Sequence, residues 1–249
     1  MLTARNIHKS FGDRRVLNGV DLDVAPGAIT CVIGPSGTGK TTLLRALALL
    51  DLPDQGEITI DWEKYAFSAA LTPTLSRGER EKKGTPWPKV TAVFQSLFLW
   101  PHMTLRENIM LPARNHNPNS EKDIEGLIQF FEMGLFIDNY PNQASLGQRQ
   151  RVALARALIL NPRYLLLDEI TSALDVEQTA RILTKLTHLK DRGIGIFLIT
   201  HALGFAQRAA DHVVFMDGGK VVEDGGPEIL KKPESTRLSE FLSLVEAAR

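Results

Sequence analysis

No apolar run in this sequence approaches the ~20 residues a helix needs to cross a bilayer. The opening Met1-Leu2-Thr3-Ala4-Arg5-Asn6 is followed by polar residues and lacks the apolar core of a signal peptide. Neither sign of charge is in excess. The 29 basic and 29 acidic residues balance, so no global field recruits nucleic acid or an anionic membrane, and only a local basic patch stays open. A single cysteine, Cys31, excludes an intrachain disulfide, and its place in an apolar run reads as a small buried hydrophobe rather than a reactive thiol. Internal repeats and low-complexity segments are also missing. The expectation is a soluble, cytoplasmic chain whose role at a membrane, if it has one, comes through a partner. Its 249 residues could form one large domain or two small ones around a substantial core.

What is present is an alternation of strand-like and helix-like segments, the pattern of an α/β architecture. Leu2 to Val24 reads as short strands with turns at Gly12-Asp13 and Asn18-Gly19, and Gly56 to Ile60 as another strand. From Trp62 to Lys89 the pattern blurs around the charged run Arg77 to Lys83, which reads as a solvated, partly irregular excursion. Val90 to Gln95 resumes the strands. Leu105 to about Ala157 is helical by pattern, broken near Pro112 and Pro141, and looks like an inserted lobe. Tyr164 to Asp168 and Gly195 to Thr200 are apolar on both faces, as in buried parallel strands. Asp217-Gly218-Gly219 marks a hairpin, and Glu234 to Arg249 is a candidate amphipathic helix.

The most informative segment is Gly34, Pro35, Ser36, Gly37, Thr38, Gly39, Lys40, Thr41 and Thr42. It fits a P-loop, and it lies where one belongs, between the apolar strand Ile29 to Ile33 and a helix-like run from Thr42 to Leu50. Glycines let successive N–H groups turn toward phosphate oxygens, and the following helix aims its positive end at the same point. Lys40 is then placed to reach the β- and γ-phosphates and the Thr41 hydroxyl to bind Mg²⁺. The segment predicts binding of a nucleoside triphosphate.

A second group turns binding into chemistry. The strand ending in Leu167 delivers Asp168 and Glu169 at its carboxyl end, where open α/β sheets place ligands. Asp168 suits a metal and Glu169 the proton of an attacking water. Read alone, such a pair is ordinarily a solvated loop start; downstream of a P-loop the functional reading prevails. His201 follows the strand Gly195 to Thr200 and could meet a γ-phosphate or the attacking water. Gln95 offers an amide oxygen to Mg²⁺ or water, although by itself it would pass as a polar strand end. The other five histidines have no comparable context.

Between Gln95 and Asp168 lies Ala144-Ser145-Leu146-Gly147-Gln148-Arg149-Gln150-Arg151, which resembles the signature segment of the ABC (ATP-binding cassette) ATPases, normally Leu-Ser-Gly-Gly-Gln before a basic helix. Ser172-Ala173-Leu174-Asp175 resembles their D-loop, and His201 their switch histidine. The resemblance runs through essentially the whole chain. It implies a P-loop NTPase with a RecA-like core, an antiparallel β-subdomain and an inserted helical subdomain. The whole of 1–249 would be one such domain, with 1–95 and 158–249 as core plus β-subdomain and about 96–157 as the helical part. By position, Phe11 matches the aromatic that stacks on adenine; from the residues alone it would pass as a core aromatic. Gln95 matches the lid-loop glutamine, Asp168 the metal-holding residue, Glu169 the catalytic carboxylate and His201 the γ-phosphate sensor. Ser145, Gly147, Gln148 and Asp175 would act on ATP held by a second copy, which implies a head-to-tail homodimer or a paired homologue.

Three residues depart from the family pattern: Ala144 for Leu, Leu146 for Gly, and Ile170 where Pro commonly follows the Asp-Glu pair. Leu146 brings bulk where glycine allows close approach to a phosphate, and it would carry strain if that position were left-handed. The expectation is a working but slower ATPase.

The stretches His201 to Ala206 and Ala209 to Lys220, with Thr171 to Asp175 and Pro233 to Val245, are similar to ATPase subunits of polar amino acid importers. Phe98 to Thr104 is similar to the segment that meets a permease. The implied partners are a second ATPase subunit, an integral membrane permease and, indirectly, an extracytoplasmic binding protein, with no nucleic acid. The implied place is peripheral, on the inner face of the membrane. Two other readings are a soluble ABC ATPase outside transport and a regulatory ATP-binding subunit with little turnover.

Overall fold

The computed structural model describes residues 1–68, 85–171 and 174–247. Two sheets organise them. The larger has six strands in the order β10-β9-β3-β8-β7-β6, where β3 is Ile29–Ile33, β6 Val90–Val93, β7 Tyr164–Asp168, β8 Gly195–Ile199, β9 His212–Asp217 and β10 Lys220–Gly225. Five of these run parallel, and β10 closes one edge as the antiparallel partner of β9. The smaller sheet is antiparallel, in the order β2-β1-β4-β5, with β1 Leu2–Phe11, β2 Arg14–Val24, β4 Gln55–Ile60 and β5 Glu63–Phe67.

The apolar strands at the centre of the large sheet are buried on both faces because each face meets a different layer. Successive side chains alternate across a sheet. Val32, Leu166, Phe197 and Ile199 pack toward helix α1 (Lys40–Leu47) and the antiparallel sheet. Cys31, Leu165, Leu167, Ile196 and Leu198 pack toward the other helices. Those are α2 (Leu105–Ala113), α3 (Ser120–Phe130), α4 (Leu146–Leu158), α5 (Val176–Asp191), α6 (Leu203–Ala209) and α7 (Thr236–Ala247). Burial pushes the Cys31 thiol up to about 12, so it is inert filling.

Several expectations need correction. Asn18-Gly19 is not a turn. The strand β2 runs through it, and the irregularity appears as register shifts against β1 around Ile7. The stretch beginning at Trp62 is not irregular from the start, since Glu63–Phe67 pairs with β4 over five residues. The alternation there, with Tyr65 alone buried, is that of an edge strand. The charged run Arg77 to Lys83 lies outside the described residues. The breaks expected near Pro112 and Pro141 are present: α2 ends one residue after Pro112, and Pro141 opens a 3₁₀ turn, Pro141–Gln143, between α3 and α4. The sixth strand ends at Val93, so Gln95 lies in the connection beyond it. No helix among the described residues is long and apolar enough to cross a membrane.

Candidate functional site

The parallel strands all open at one end of the sheet, and the residues predicted for the phosphate chemistry follow those strand ends. The third strand leads into the loop Gly34 to Gly39, the seventh ends in Asp168-Glu169, the eighth leads through Thr200 to His201, and the sixth leads to Gln95. Two glycines in the loop are required by geometry. Gly34 has φ +145°, and a β-carbon there would be driven into the Met216 carbonyl of β9. Gly39 has φ +100° and caps α1; a β-carbon would lie 2.8 Å from the Val16 carbonyl and 2.9 Å from Leu17. Both positions therefore exclude any side chain.

The Lys40 ammonium is buried and donates to the carbonyls of Gly34 (2.9 Å) and Pro35 (2.7 Å), while the Thr38 hydroxyl donates to Pro35 (2.9 Å). Burial pulls the Lys40 pKa down, and the carboxylates of Glu169 and Asp168 push it back up. Asp168 is buried too. Burial and the neighbouring Glu169 hold its carboxyl above the usual range, against a hydrogen bond from Thr41 and the charge of Lys40. Glu169 occupies a left-handed conformation, φ +48°, that a non-glycine residue adopts only when its surroundings fix it. Its amide donates to the Ile199 carbonyl (3.0 Å), and its Oε1 lies 2.8 Å from His201 Nε2.

A cleft of about 310 Å³ runs over the loop, lined by Phe11, Arg14, Val16, Ser36, Lys40 and Glu169 among others. Phe11 is half exposed, at odds with the commoner reading of a core aromatic. Arg14 and Val16 went unrecognised in the sequence. The signal for them was the hairpin pairing itself, because Phe11 and Arg14 are opposite across the Gly12-Asp13 turn.

Ser145, Gly147, Gln148 and Asp175 line a second cleft of about 290 Å³, and no residue lines both. Ser145 caps α4 with a reciprocal box. Its hydroxyl accepts from the Gln148 amide (3.3 Å), and the Gln148 side chain accepts from the Ser145 amide (2.8 Å). Asp175 caps α5 through the Gln178 amide (2.7 Å). Ser172 and Ala173 of the D-loop-like stretch lie outside the described residues. Leu146 is the first residue of α4 and has no positive φ, so the left-handed strain considered for it is absent. Ile170 and Ala144 are buried in the core.

A glycine-cradled loop between strand and helix, with a buried lysine facing two carboxylates across the strand ends, defines a P-loop nucleotide-binding protein. The model of the ABC transporter family matches residues 17–172. The L-cystine import ATP-binding protein TcyC of Bacillus subtilis is 39% identical over 250 residues, 98% of each chain. The arginine transport ATP-binding protein ArtM of the same species is 40% identical, over 98% of this chain and 100% of that one. Among solved structures, the dimeric post-hydrolysis state of the ATP-binding cassette MJ0796 bound to ADP and Pi matches with a TM-score of 0.77 at 30% identity, covering 91% of this chain and 99% of that one. The chain belongs to the ABC transporter family, and its place there is that of a nucleotide-binding ATPase subunit.

Proposed function

We infer that this chain is the ATP-hydrolysing subunit of an ABC importer for polar amino acids. It would work as a head-to-tail pair docked on a separate permease at the inner face of the membrane. The observation that carries the dimeric part is the separation of the two clefts: phosphate-loop and signature residues of one chain do not meet, so each cleft lacks what the other surface of a second copy offers. The relatives named for cystine and arginine support the transport part. That two such different amino acids are named for subunits of nearly equal similarity supports leaving the choice of substrate to the permease and binding protein.

In this reading the nucleotide lies over Gly34 to Thr42 with its base against Phe11. Residues 1–95 and 158–249 form the core and β-subdomain that hold it, and about 96–157 the helical subdomain. The donors fit Mg²⁺: the Thr41 hydroxyl, the Asp168 carboxylate it touches and the Gln95 amide are all hard oxygen ligands. Mg²⁺ would neutralise charge on the β- and γ-phosphates. Glu169 takes the proton of the attacking water, and His201, 2.8 Å away, holds that carboxylate in place and senses the γ-phosphate. Ser145, Gly147, Gln148 and Asp175 close on the partner's nucleotide.

Leu146 slows this closure by bulk alone. Replacing it with glycine costs α4 less than the about 1 kcal/mol of an interior position, since Leu146 is the first helical residue, and removes the side chain beside Ser145. Steady-state hydrolysis by Leu146→Gly is expected to exceed that of the parent; unchanged or lower turnover would show that Leu146 is not limiting.

Transmission to the permease runs along α4. Arg156, near its C-terminal end, donates to the carbonyls of Phe98 (2.7 Å) and Leu97 (2.6 Å) and lies 5.2 Å over the Trp100 ring. That fixes an exposed Phe98 and the Trp100-to-Thr104 segment at the surface. The test is crosslinking: a cysteine at His102 is expected to capture the permease in membranes and one at the remote, exposed Trp62 is not. Equal capture by both, or by neither, contradicts the docking.

A further inference from the structure

The turn that ends α3 is gripped from two sides, and its Glu132 lines the second cleft together with Ser145 and Asp175. Phe130, Phe131 and Glu132 present carbonyls left over from the helix end. Arg151, one turn beyond the signature on α4, donates to those of Phe131 (3.1 Å) and Glu132 (3.2 Å). Lys185, from α5, donates to that of Phe130. The two cations also lie over rings of the same lobe, Lys185 5.1 Å from Phe130 and Arg151 4.9 Å from Phe136. The Glu132 carboxylate then reaches across to α5, 3.0 Å from Lys185 and 3.4 Å from Arg181. Lys185 holds that carboxyl below the usual range. Glu132 itself has φ +54°, a conformation that its contacts must fix.

The two helices held this way are the ones whose first residues line the second cleft, α4 from Ser145 and α5 from Asp175. We propose that Glu132 is a positioning residue: bridged to Arg181 and Lys185, it locks the signature helix to the helix that follows the catalytic strand, so that Ser145 and Asp175 move as one. This rests on the reading that those residues close on a nucleotide held by a second copy. The exposed Glu132–Arg181 pair is weak by itself, while Lys185 is largely covered. The grip comes from carbonyl bonds, rings and carboxylate converging on one three-residue turn.

The test reverses the charge. Glu132→Lys sets a third cation against Arg181 and Lys185, and Arg181→Glu in the same chain restores an opposite pair. Cysteines at Asn142 and Val176, both exposed, take spin labels beside the two helix starts, and the native Cys31 is fully buried. Pulsed electron-spin distance measurement should give a narrow distribution in the parent, a broadened or shifted one in Glu132→Lys, and a narrow one again in the double variant. Turnover should fall roughly three- to thirtyfold in Glu132→Lys, with ATP affinity of the monomer unchanged, and recover in the double variant. An undisturbed distribution in Glu132→Lys, or a double variant as broad as the single one, overturns the proposal. A parent without any turnover would instead strike the ATPase reading, and the distances would still decide whether Glu132 locks the two helices.

Discussion

Lys40→Ala is expected to lose ATP hydrolysis by about 10²–10³-fold, the usual consequence of removing one preorganised donor from developing charge. ATP affinity should weaken by about tenfold to a hundredfold, as for a lost charge-assisted hydrogen bond. The structure gives the reason for so large an effect. Lys40 is 5% exposed, and its ammonium is tied to two carbonyls of its own loop. A phosphate arriving at the loop would therefore meet a cation already fixed and largely shielded from water, where its field is least screened. Phosphate release and calorimetric titration read the two quantities, and a thermal-unfolding scan separates lost contact from lost fold. Turnover within threefold of the parent would remove Lys40 from the account.

Glu169→Gln is expected to cost about 10²–10⁴-fold in turnover, the range for a general base, while leaving ATP binding intact. The amide keeps the shape of the side chain, and the backbone bond to Ile199 is untouched, so the held conformation at φ +48° survives. What goes is the ability to accept a proton. Neighbouring Asp168 is not expected to substitute, because it is buried and already engaged by the Thr41 hydrogen bond and the charge of Lys40. Single-turnover hydrolysis beside equilibrium binding separates the outcomes. Turnover near the parent's would place the proton elsewhere, and loss of binding would make Glu169 a nucleotide-holding residue instead.

The parts of this molecule that could be read from the sequence are those whose chemistry is local. Gly34 to Thr42 carries its own geometry, because left-handed glycines and a lysine at fixed spacing can hardly do anything else between a strand and a helix. The position of Asp168 and Glu169 was legible because they follow an apolar strand downstream of a P-loop; the pair alone would have read as a solvated loop start. What escaped depends on contacts distant in the chain. Arg14 joins the cleft only because β1 and β2 fold back on each other, and the three-residue turn at Glu132 matters only because α5, some fifty residues later, packs against it. Glu63–Phe67 was missed since an edge strand buries one side chain, too little for a periodic signal. Leu146 was read through the glycine it replaces, but a capped helix begins there, and the strain argument lapsed with it.

The most direct test of the central claim, that one chain carries two half-sites completed only by a second copy, is light scattering on Glu169→Gln with and without ATP. The account predicts the 27.6 kDa monomer without nucleotide and about twice that mass with it, since binding without hydrolysis leaves the pair closed. A monomer that binds ATP and stays at its single-chain mass would contradict it.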